Sequence, residues 1–324
     1  MSLALGAGGA RGYAHIGAIQ ELEERGIEIV GIAGCSMGAL VGGVHAAGEL
    51  DAFADWALSL TQRDVLRLLD VAIKAPGVIR AERVLARVRD LVGDRRIEDL
   101  DIPYTAVATD LLARREVWFQ RGPLDQAIRA SIALPGIFTP VMLNGQLLAD
   151  GGLMDPLPVA PTAAVPSDAT IAISLGGERE GADAGPAGGA VSETTEPRPM
   201  DEWIRRFRRG TAQALDFETA RALRARWSAP AAAEAAAEEV EAVVEAFDEL
   251  PVGLTRFDVM NHSLEAMQDL VTRYRMAAFP ADVTIEIPRN ACGTLDFHRA
   301  AHMVELGREL TARRLDELAA DARG

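Results

Sequence analysis

Ser36 stands in the pattern G-x-S-x-G, formed by residues 34–38, between an apolar run of strand length and a stretch with a helical pattern. A serine on such a strand-to-helix turn has its Oγ lifted toward solvent, and the N-terminus of the helix favours negative charge that develops there. Gly34 and Gly38 allow the sharp turn without side-chain clashes. The pattern predicts a nucleophilic Ser36, and the plainer interpretation is a serine that caps the helix.

A second glycine-rich turn, residues 6–12 with the sequence G-A-G-G-A-R-G, follows the first apolar strand. Its backbone N–H groups can point into a site, as an oxyanion hole requires. A dinucleotide-binding loop is disfavoured because Arg11 occupies the last glycine position of G-x-G-x-x-G, and because the second strand ends at Gly34 instead of an acidic ribose ligand. A loop for another phosphate, with Arg11 as an extra cation, and a plain strand-to-helix connection both remain open.

Asp150 ends another predicted strand and is followed by Gly151 and Gly152. Alone, this is a common turn signal. All three glycine-rich turns follow a strand, however, and the carboxyl ends of parallel strands share one edge of the sheet, where ligands bind. We therefore expect Asp150 to lie beside Ser36 and to act as its base. Burial should raise the pKa of this carboxyl group and make it a stronger base, while hydrogen bonds from glycine N–H groups oppose the shift.

The five histidines offer little support for a Ser-His-Asp triad. His15 and His45 fall inside predicted helices directly after glycine-rich turns, and His298 and His302 lie four residues apart on the last predicted helix. That last spacing suits a metal, but no H-E-x-x-H pattern accompanies it. His262, near a helix start, is the one reasonable triad candidate. A Ser-Asp dyad is therefore better supported than a triad.

Short apolar strands alternate with helical stretches, which predicts an α/β fold with a mostly parallel sheet flanked by helices. The second strand is expected over residues 27–33. Residues 179–251 begin with a stretch rich in Gly, Ala, Glu, Thr and Pro, which has little to form a core, and continue with helical patterns. We therefore predict a catalytic core made of residues 1–178 and 252–324, with 179–251 as a flexible and mostly helical insertion.

Charge and cysteine content restrict the partners and the compartment. A net charge of −15 argues against binding nucleic acid or anionic lipid through global charge. Cys35 and Cys292 are too few for a disulfide framework, and neither a signal peptide nor an apolar run of transmembrane length is evident, so a cytoplasmic protein is expected. Residues 201–227 are locally basic and carry aromatic side chains, which suggests peripheral membrane contact; an ordinary surface helix is the alternative.

Taken together, the glycine-rich turns resemble those of the patatin-like phospholipase family. The resemblance rests on residues 6–12, 34–38 and 150–152 and on a fourth block, residues 130–140 with the sequence A-S-I-A-L-P-G-I-F-T-P. It covers residues 1–176 and leaves the insertion uncovered. It implies a three-layer α/β/α fold and a lipid acyl hydrolase, of phospholipase A or lysophospholipase type, that uses a Ser-Asp dyad and no metal.

By position, the resemblance implies that Ser36 attacks the ester carbonyl of a lipid or other acyl-ester substrate. Asp150 would accept the serine proton, directly or through water. The tetrahedral oxyanion would be stabilised by backbone N–H groups of the first glycine-rich turn, those of Gly8, Gly9 and Ala10. Phospholipid, lysophospholipid, a simple ester and a thioester all suit the same dyad, because specificity depends on the walls of the site.

The resemblance also assigns supporting residues, namely Arg11, Gly34, Gly38 and Gly151. Arg11 would fix the glycine loop or meet an acidic head group. Two positions depart from the family pattern: Ala7 stands where many members have glycine, and Asp155 where an asparagine is common. At the second position a carboxylate therefore stands in place of an amide.

Two other functions stay open at this level. A Ser-His-Asp carboxylesterase would use His262 as its base. A non-catalytic acyl-lipid-binding regulatory protein would keep the fold without the chemistry, although the presence of the serine, the aspartate and both glycine-rich turns argues against it.

Overall fold

The computed structural model of the chain describes residues 1–68, 82–178 and 256–322. The predicted insertion 179–251, with its basic stretch 201–227, lies outside the described residues, so its helical content stays a prediction. The chain divides into two compact units, one made of Met1–Asp183 with Met260–Gly324 and the other of Ala184–Val259. The first unit contains the whole β-sheet described below.

The described residues form one eight-stranded sheet. Its parallel strands are β1 (Ser2–Leu5), β2 (Gly31–Cys35), β3 (Tyr104–Asp110), β7 (Thr170–Gly177) and β8 (Val283–Pro288). The other three strands are β4 (Arg115–Phe119), β5 (Val141–Leu143) and β6 (Gln146–Asp150); β4 and β6 each run antiparallel to β3, and β5 runs antiparallel to β6. The strand order is β5-β6-β3-β2-β1-β7-β8, with β4 also paired to β3. The predicted α/β class with a mostly parallel sheet flanked by helices is confirmed.

Eight α-helices accompany this sheet in the described ranges. They are α1 (Ala14–Glu24), α2 (Met37–Ala46), α3 (Leu50–Ser59), α4 (Gln62–Leu68), α5 (Glu82–Val92), α6 (Leu124–Ser131), α7 (Arg256–Ala278) and α8 (Ala300–Asp321). None of the described helices is both long and apolar enough to cross a bilayer.

The two faces of the sheet carry side chains of different size, because successive residues of a strand point to opposite faces. Leu3 and Leu5 of β1 belong to the main core with α1, α2 and α8. Ala4 between them belongs to a smaller cluster with Leu157 and Val159, against which Met276 of α7 packs. The small alanine face lets α7 and the segment after β6 lie close to the sheet, and this arrangement brings α7 to the candidate site.

The second strand begins later than the sequence predicts. A strand was expected over residues 27–33, whereas β2 starts at Gly31. Ile27 N–H donates to Leu22 O (3.0 Å) and so still belongs to the end of α1, and the first bond to the segment of β1 is from Val30 N–H to Met1 O (3.0 Å). An apolar run does not reveal where ladder pairing begins, because that depends on the neighbouring strand.

Candidate active site

Ser36 occupies the turn between β2 and α2, with φ of 54° and ψ of −122°. A non-glycine residue with positive φ is strained by roughly 1–3 kcal/mol and persists only where its surroundings hold it. A Cβ at Gly38 would collide with the carbonyl oxygen of Leu5, and a Cβ at Gly34 with the backbone of Ala39. The close packing of this turn therefore requires both glycines of the pattern, and it leaves Ser36 at the N-terminus of α2.

A buried serine holds the strained turn. The Ser36 N–H donates to Ser131 Oγ (2.9 Å), and the Ser131 hydroxyl donates to Val107 O (2.6 Å). Ser131 is fully buried at the end of α6. It lies within the block 130–140, where the sequence pattern assigns it no role. The signal that was missed is a hydroxyl between Ala130 and Ile132, in a block whose other hydroxyl is that of Thr139.

Ser36 and Asp150 are in direct contact. The Ser36 hydroxyl donates to Asp150 Oδ2 at 2.5 Å. The other carboxylate oxygen, Oδ1, accepts from Gly152 N–H at 2.8 Å and lies 3.9 Å from Cys35 Sγ. The Asp150 N–H donates to Ala133 O at 2.9 Å, which ties the carboxylate to the block 130–140. The negative charge of Asp150 is thus stabilised by the Gly152 N–H and the Cys35 thiol in addition to the serine hydroxyl.

The two residues meet by a route that the sequence argument did not anticipate. Asp150 was expected at the carboxyl end of a parallel strand, but β6 runs antiparallel to β3. In the register of β3, Cys35 pairs with Val107 and Asp150 with Ala108. Because β4 occupies the other edge of β3, β2 and β6 share one edge and point toward each other. Their ends therefore face head-on, which places Ser36 against Asp150.

Burial raises the pKa of the Asp150 carboxyl group. The side chain is fully buried, and this raises its pKa from 3.8 to about 6. Hydrogen bonds from Ser36, Gly152 and Cys35 oppose the shift, because they favour the ionised form. A carboxylate with this pKa is ionised near neutral pH and is a stronger base than an aspartate in water.

The first glycine-rich turn offers two N–H groups. Gly9 has φ of 58°, and a 3₁₀ turn runs from it to Tyr13. Within the described part of the chain, the N–H groups of Gly8 and Gly9 have no acceptor. The Ala10 N–H instead donates to Thr294 O at 2.9 Å. This hydrogen bond disfavours the predicted contribution of Ala10 to an oxyanion hole, whereas the N–H groups of Gly8 and Gly9 suit it.

Two predicted supporting residues lie around this core. Arg11 is 8% exposed, and its Nη1 donates to Arg289 O at 2.7 Å while Nη2 lies 3.4 Å from Glu265 Oε1. Of the two roles expected for Arg11, these contacts favour fixing the glycine loop over meeting a head group. Gly151 packs on the carbonyl of Val107, so a side chain there would push the Asp150 turn away from β3.

No histidine is hydrogen-bonded to Ser36 or Asp150 in the described part of the chain. His262 is 62% exposed on α7, and its Nδ1 lies 3.4 Å from Glu265 Oε2. His15 is fully buried, with Nε2 2.9 Å from Gly6 O, and burial lowers its pKa to about 4. His298 and His302 face solvent, the former in a 3₁₀ turn before α8. No cluster of three metal-ligating side chains occurs among the residues described.

The departure at Asp155 has a partner that the sequence analysis missed. Asp155 is fully buried; Arg275 Nη2 donates to its Oδ2 at 2.9 Å, and Arg275 Nε lies 2.8 Å from its Oδ1. The same guanidinium lies 2.9 Å from Glu116 Oε2. Burial raises the pKa of Asp155 to about 7, the positive charge of Arg275 opposes this shift, and Glu116 adds to it. The pair joins α7 to the segment that follows the Asp150-Gly-Gly turn.

Helix α7 also borders the site through Gln268. Its Nε2 would lie 2.8 Å from a Cβ placed on Gly152, and the Ala7 Cβ would lie 3.0 Å from the same point. A cavity of about 270 Å³ lies between α7 and the ends of β7 and β8, and its lining includes Ala7, Arg11 and Gln268. Ser36 does not line this cavity and is 9% exposed. The cavity therefore lies beside the nucleophile candidate and not over it.

Comparisons with known proteins relate the chain to lipid hydrolases. The family model for patatin-like phospholipases matches residues 3–163. An uncharacterized NTE family protein of Mycobacterium bovis is 51% identical over an alignment of 343 positions. The alignment covers 99% of this chain and 92% of that protein. The mouse patatin-like phospholipase domain-containing protein 6 is 32% identical over 188 residues, 56% of this chain and 14% of the mouse protein. Among solved structures, VipD from Legionella pneumophila aligns with 98% of this chain, which spans 66% of that chain, at 16% identity and a TM-score of 0.43.

Proposed function

Because this chain belongs to the patatin-like phospholipase family, we propose that it hydrolyses acyl esters of lipids with Ser36 and Asp150 as a catalytic dyad. The observation that carries the proposal is the 2.5 Å hydrogen bond from Ser36 Oγ to Asp150 Oδ2. It occurs on a strained turn with positive φ, and such strain is found mainly where function requires it.

In the proposed reaction, Ser36 Oγ attacks the acyl carbonyl carbon while its proton passes to Asp150 Oδ2. The oxyanion that forms accepts hydrogen bonds from Gly8 and Gly9, near the N-terminus of α2. Collapse breaks the ester bond, and the leaving alcohol takes the proton from Asp150. Water then attacks the acyl-serine ester with Asp150 again as base, which releases the fatty acid and restores Ser36.

The competing functions find less support. A triad through His262 would require this imidazole to approach Ser36, but it is 62% exposed and faces Glu265. A non-catalytic lipid-binding protein has no need for a buried carboxyl group of raised pKa, nor for a serine in a strained conformation. Both features lower the stability of the fold. The raised pKa is useful in a base, and the strained conformation is useful in a nucleophile. Within the family's substrate class, phospholipids and lysophospholipids are the proposed substrates.

Intact mass after treatment with an organofluorophosphonate tests the proposal. Wild type should gain one adduct, and Ser36→Ala should gain none because the nucleophile is gone. Asp150→Asn should label far more slowly, since the base is removed. Ser59→Ala is the matched control, because this exposed serine on α3 only donates to Trp56 O and should not affect labelling. Folded wild type without an adduct, or an adduct on Ser36→Ala, would refute the dyad.

A further inference from the structure

Helix α7 presents an apolar stripe to solvent. Its large exposed side chains between residues 260 and 278 are Met260 (50% exposed), Met267 (58%), Leu270 (53%) and Tyr274 (71%). Residues seven apart differ by only about 20° around a helix, so Met260, Met267 and Tyr274 lie nearly above one another. Leu270 falls on the same side. We call these four residues the α7 apolar face.

The acidic side chains of α7 between residues 260 and 278 lie on the opposite side of the helix. Between residues 260 and 278 the acidic residues are Glu265 and Asp269, which face the protein and form ion pairs with Arg11 (3.4 Å) and Arg289 (2.8 Å). His262 and Arg273 are exposed too, but they lie about 120–140° around the helix from Met267. A surface helix ordinarily turns its charges to water and its apolar stripe to the core. Here the apolar stripe faces water instead, in a chain of net charge −15.

Ion pairs fix this orientation. Arg275 of α7 is held by the fully buried Asp155, in addition to the pairs made by Glu265 and Asp269. Rotating α7 to hide its apolar stripe would leave Asp155 without its counter-ion, at a cost typical of a broken buried pair. The exposure of the α7 apolar face is therefore a built feature of the fold.

The face adjoins the candidate active site. Gln268, on the inner side of α7, lies over Gly152, and Met260 Cε lies near Gly136 in the block that accepts the Asp150 N–H. Because a helix with its side chains is about 10 Å across, the outer stripe is roughly one helix diameter from the Asp150 turn. Trp118, which is 39% exposed, shares one side of β4 with Glu116, the second partner of Arg275.

We infer that the α7 apolar face rests on the surface of a lipid bilayer or micelle. The stripe includes a tyrosine, Arg273 lies beside Leu270 around the helix, and no acidic side chain between residues 260 and 278 is exposed. This is the composition of an interfacial helix. The stripe is only about 21 Å long, short for a stable interface between copies, which buries roughly 800 Å² on each partner. In its link to acyl hydrolysis the inference rests on the proposed function. It is separate from residues 201–227.

Co-sedimentation of the full chain with vesicles of ether-linked phosphatidylcholine tests the inference, because ether lipids bind without being cleaved. Wild type should sediment with the vesicles. Met267→Glu and Leu270→Glu should each lower the partition coefficient about tenfold, since each removes an apolar side chain from the interface and adds a charge. Leu58→Glu is the matched control, because Leu58 on α3 is 49% exposed and should leave binding unchanged. Far-UV circular dichroism verifies that each variant is folded.

Three results would overturn the inference: wild type that stays in the supernatant, Met267→Glu that binds as well as Leu58→Glu, or a wild-type dimer that Met267→Glu converts to monomer without any binding to vesicles. The last result would assign the face to a second copy of the chain. Fluorophosphonate labelling of wild type without vesicles tests the proposed function separately. Normal vesicle binding without labelling would refute the dyad and leave the docking surface supported.

Discussion

Replacing Asp150 with asparagine should make the protein more stable while it abolishes activity. Burial raises the Asp150 pKa from 3.8 to about 6, so the folded state binds the proton more tightly than the unfolded chain does. The stabilising effect of that proton is complete below pH 4 and is lost as the pH rises through 6. About two pKa units correspond to about 3 kcal/mol, which is the cost of burying the ionised carboxylate at pH 8.

Asp150→Asn removes this cost because the amide stays neutral. Its free energy of unfolding should exceed that of wild type by up to about 3 kcal/mol at pH 8, and by about half of that at pH 5. Urea unfolding followed by far-UV circular dichroism at both pH values measures the difference. Asp168→Asn, an exposed carboxyl group, should change neither value. An Asp150→Asn variant no more stable than wild type at pH 8, or one with equal gains at both pH values, would refute the reasoning.

The rate of fluorophosphonate labelling should fall about tenfold per pH unit below pH 6, because only ionised Asp150 accepts the serine proton; a constant rate from pH 4 to 8 would contradict its role as base. Ser131→Ala removes the acceptor of the Ser36 N–H at a buried position, so it should lower the free energy of unfolding by about 1–3 kcal/mol and slow labelling, and a wild-type labelling rate would show that Ser131 does not hold the turn. Arg275→Met leaves the buried Asp155 without its counter-ion and should lower the free energy of unfolding by about 3 kcal/mol at pH 8, with a smaller loss at pH 5, where the carboxyl group is protonated. Equal urea midpoint shifts at both pH values would argue against a charge effect.

Local features of the site follow directly from the sequence. The G-x-S-x-G pattern predicted the turn at Ser36, because a sharp strand-to-helix turn with close backbone contacts admits only glycine at Gly34 and Gly38. The alternation of apolar strands with helices predicted the α/β class, because a sheet covered on both faces needs apolar residues throughout its strands. Both signals depend on neighbours within a few residues along the chain.

Contacts between distant residues could not be predicted in this way. The head-on meeting of β2 and β6 depends on the direction of β6, and an apolar run has the same pattern in either direction. The Ser131 anchor joins residues 95 positions apart, and the Asp155–Arg275 pair spans 120. The Ala10 N–H was expected to face the site, but it donates to Thr294 O, which comes from a loop near the other end of the chain.

Local sequence patterns are therefore enough to identify the candidate site residues, because nucleophile turns, glycine conformations and strand periodicity are local properties of the backbone. How those residues work together depends on contacts that form in the folded chain. The tertiary structure buries Asp150 enough to raise its pKa, directs His262 toward solvent, and turns the apolar side of α7 outward. Burial and orientation depend on what packs against a side chain, and in a sheet with this strand order the packing partners come from distant parts of the chain.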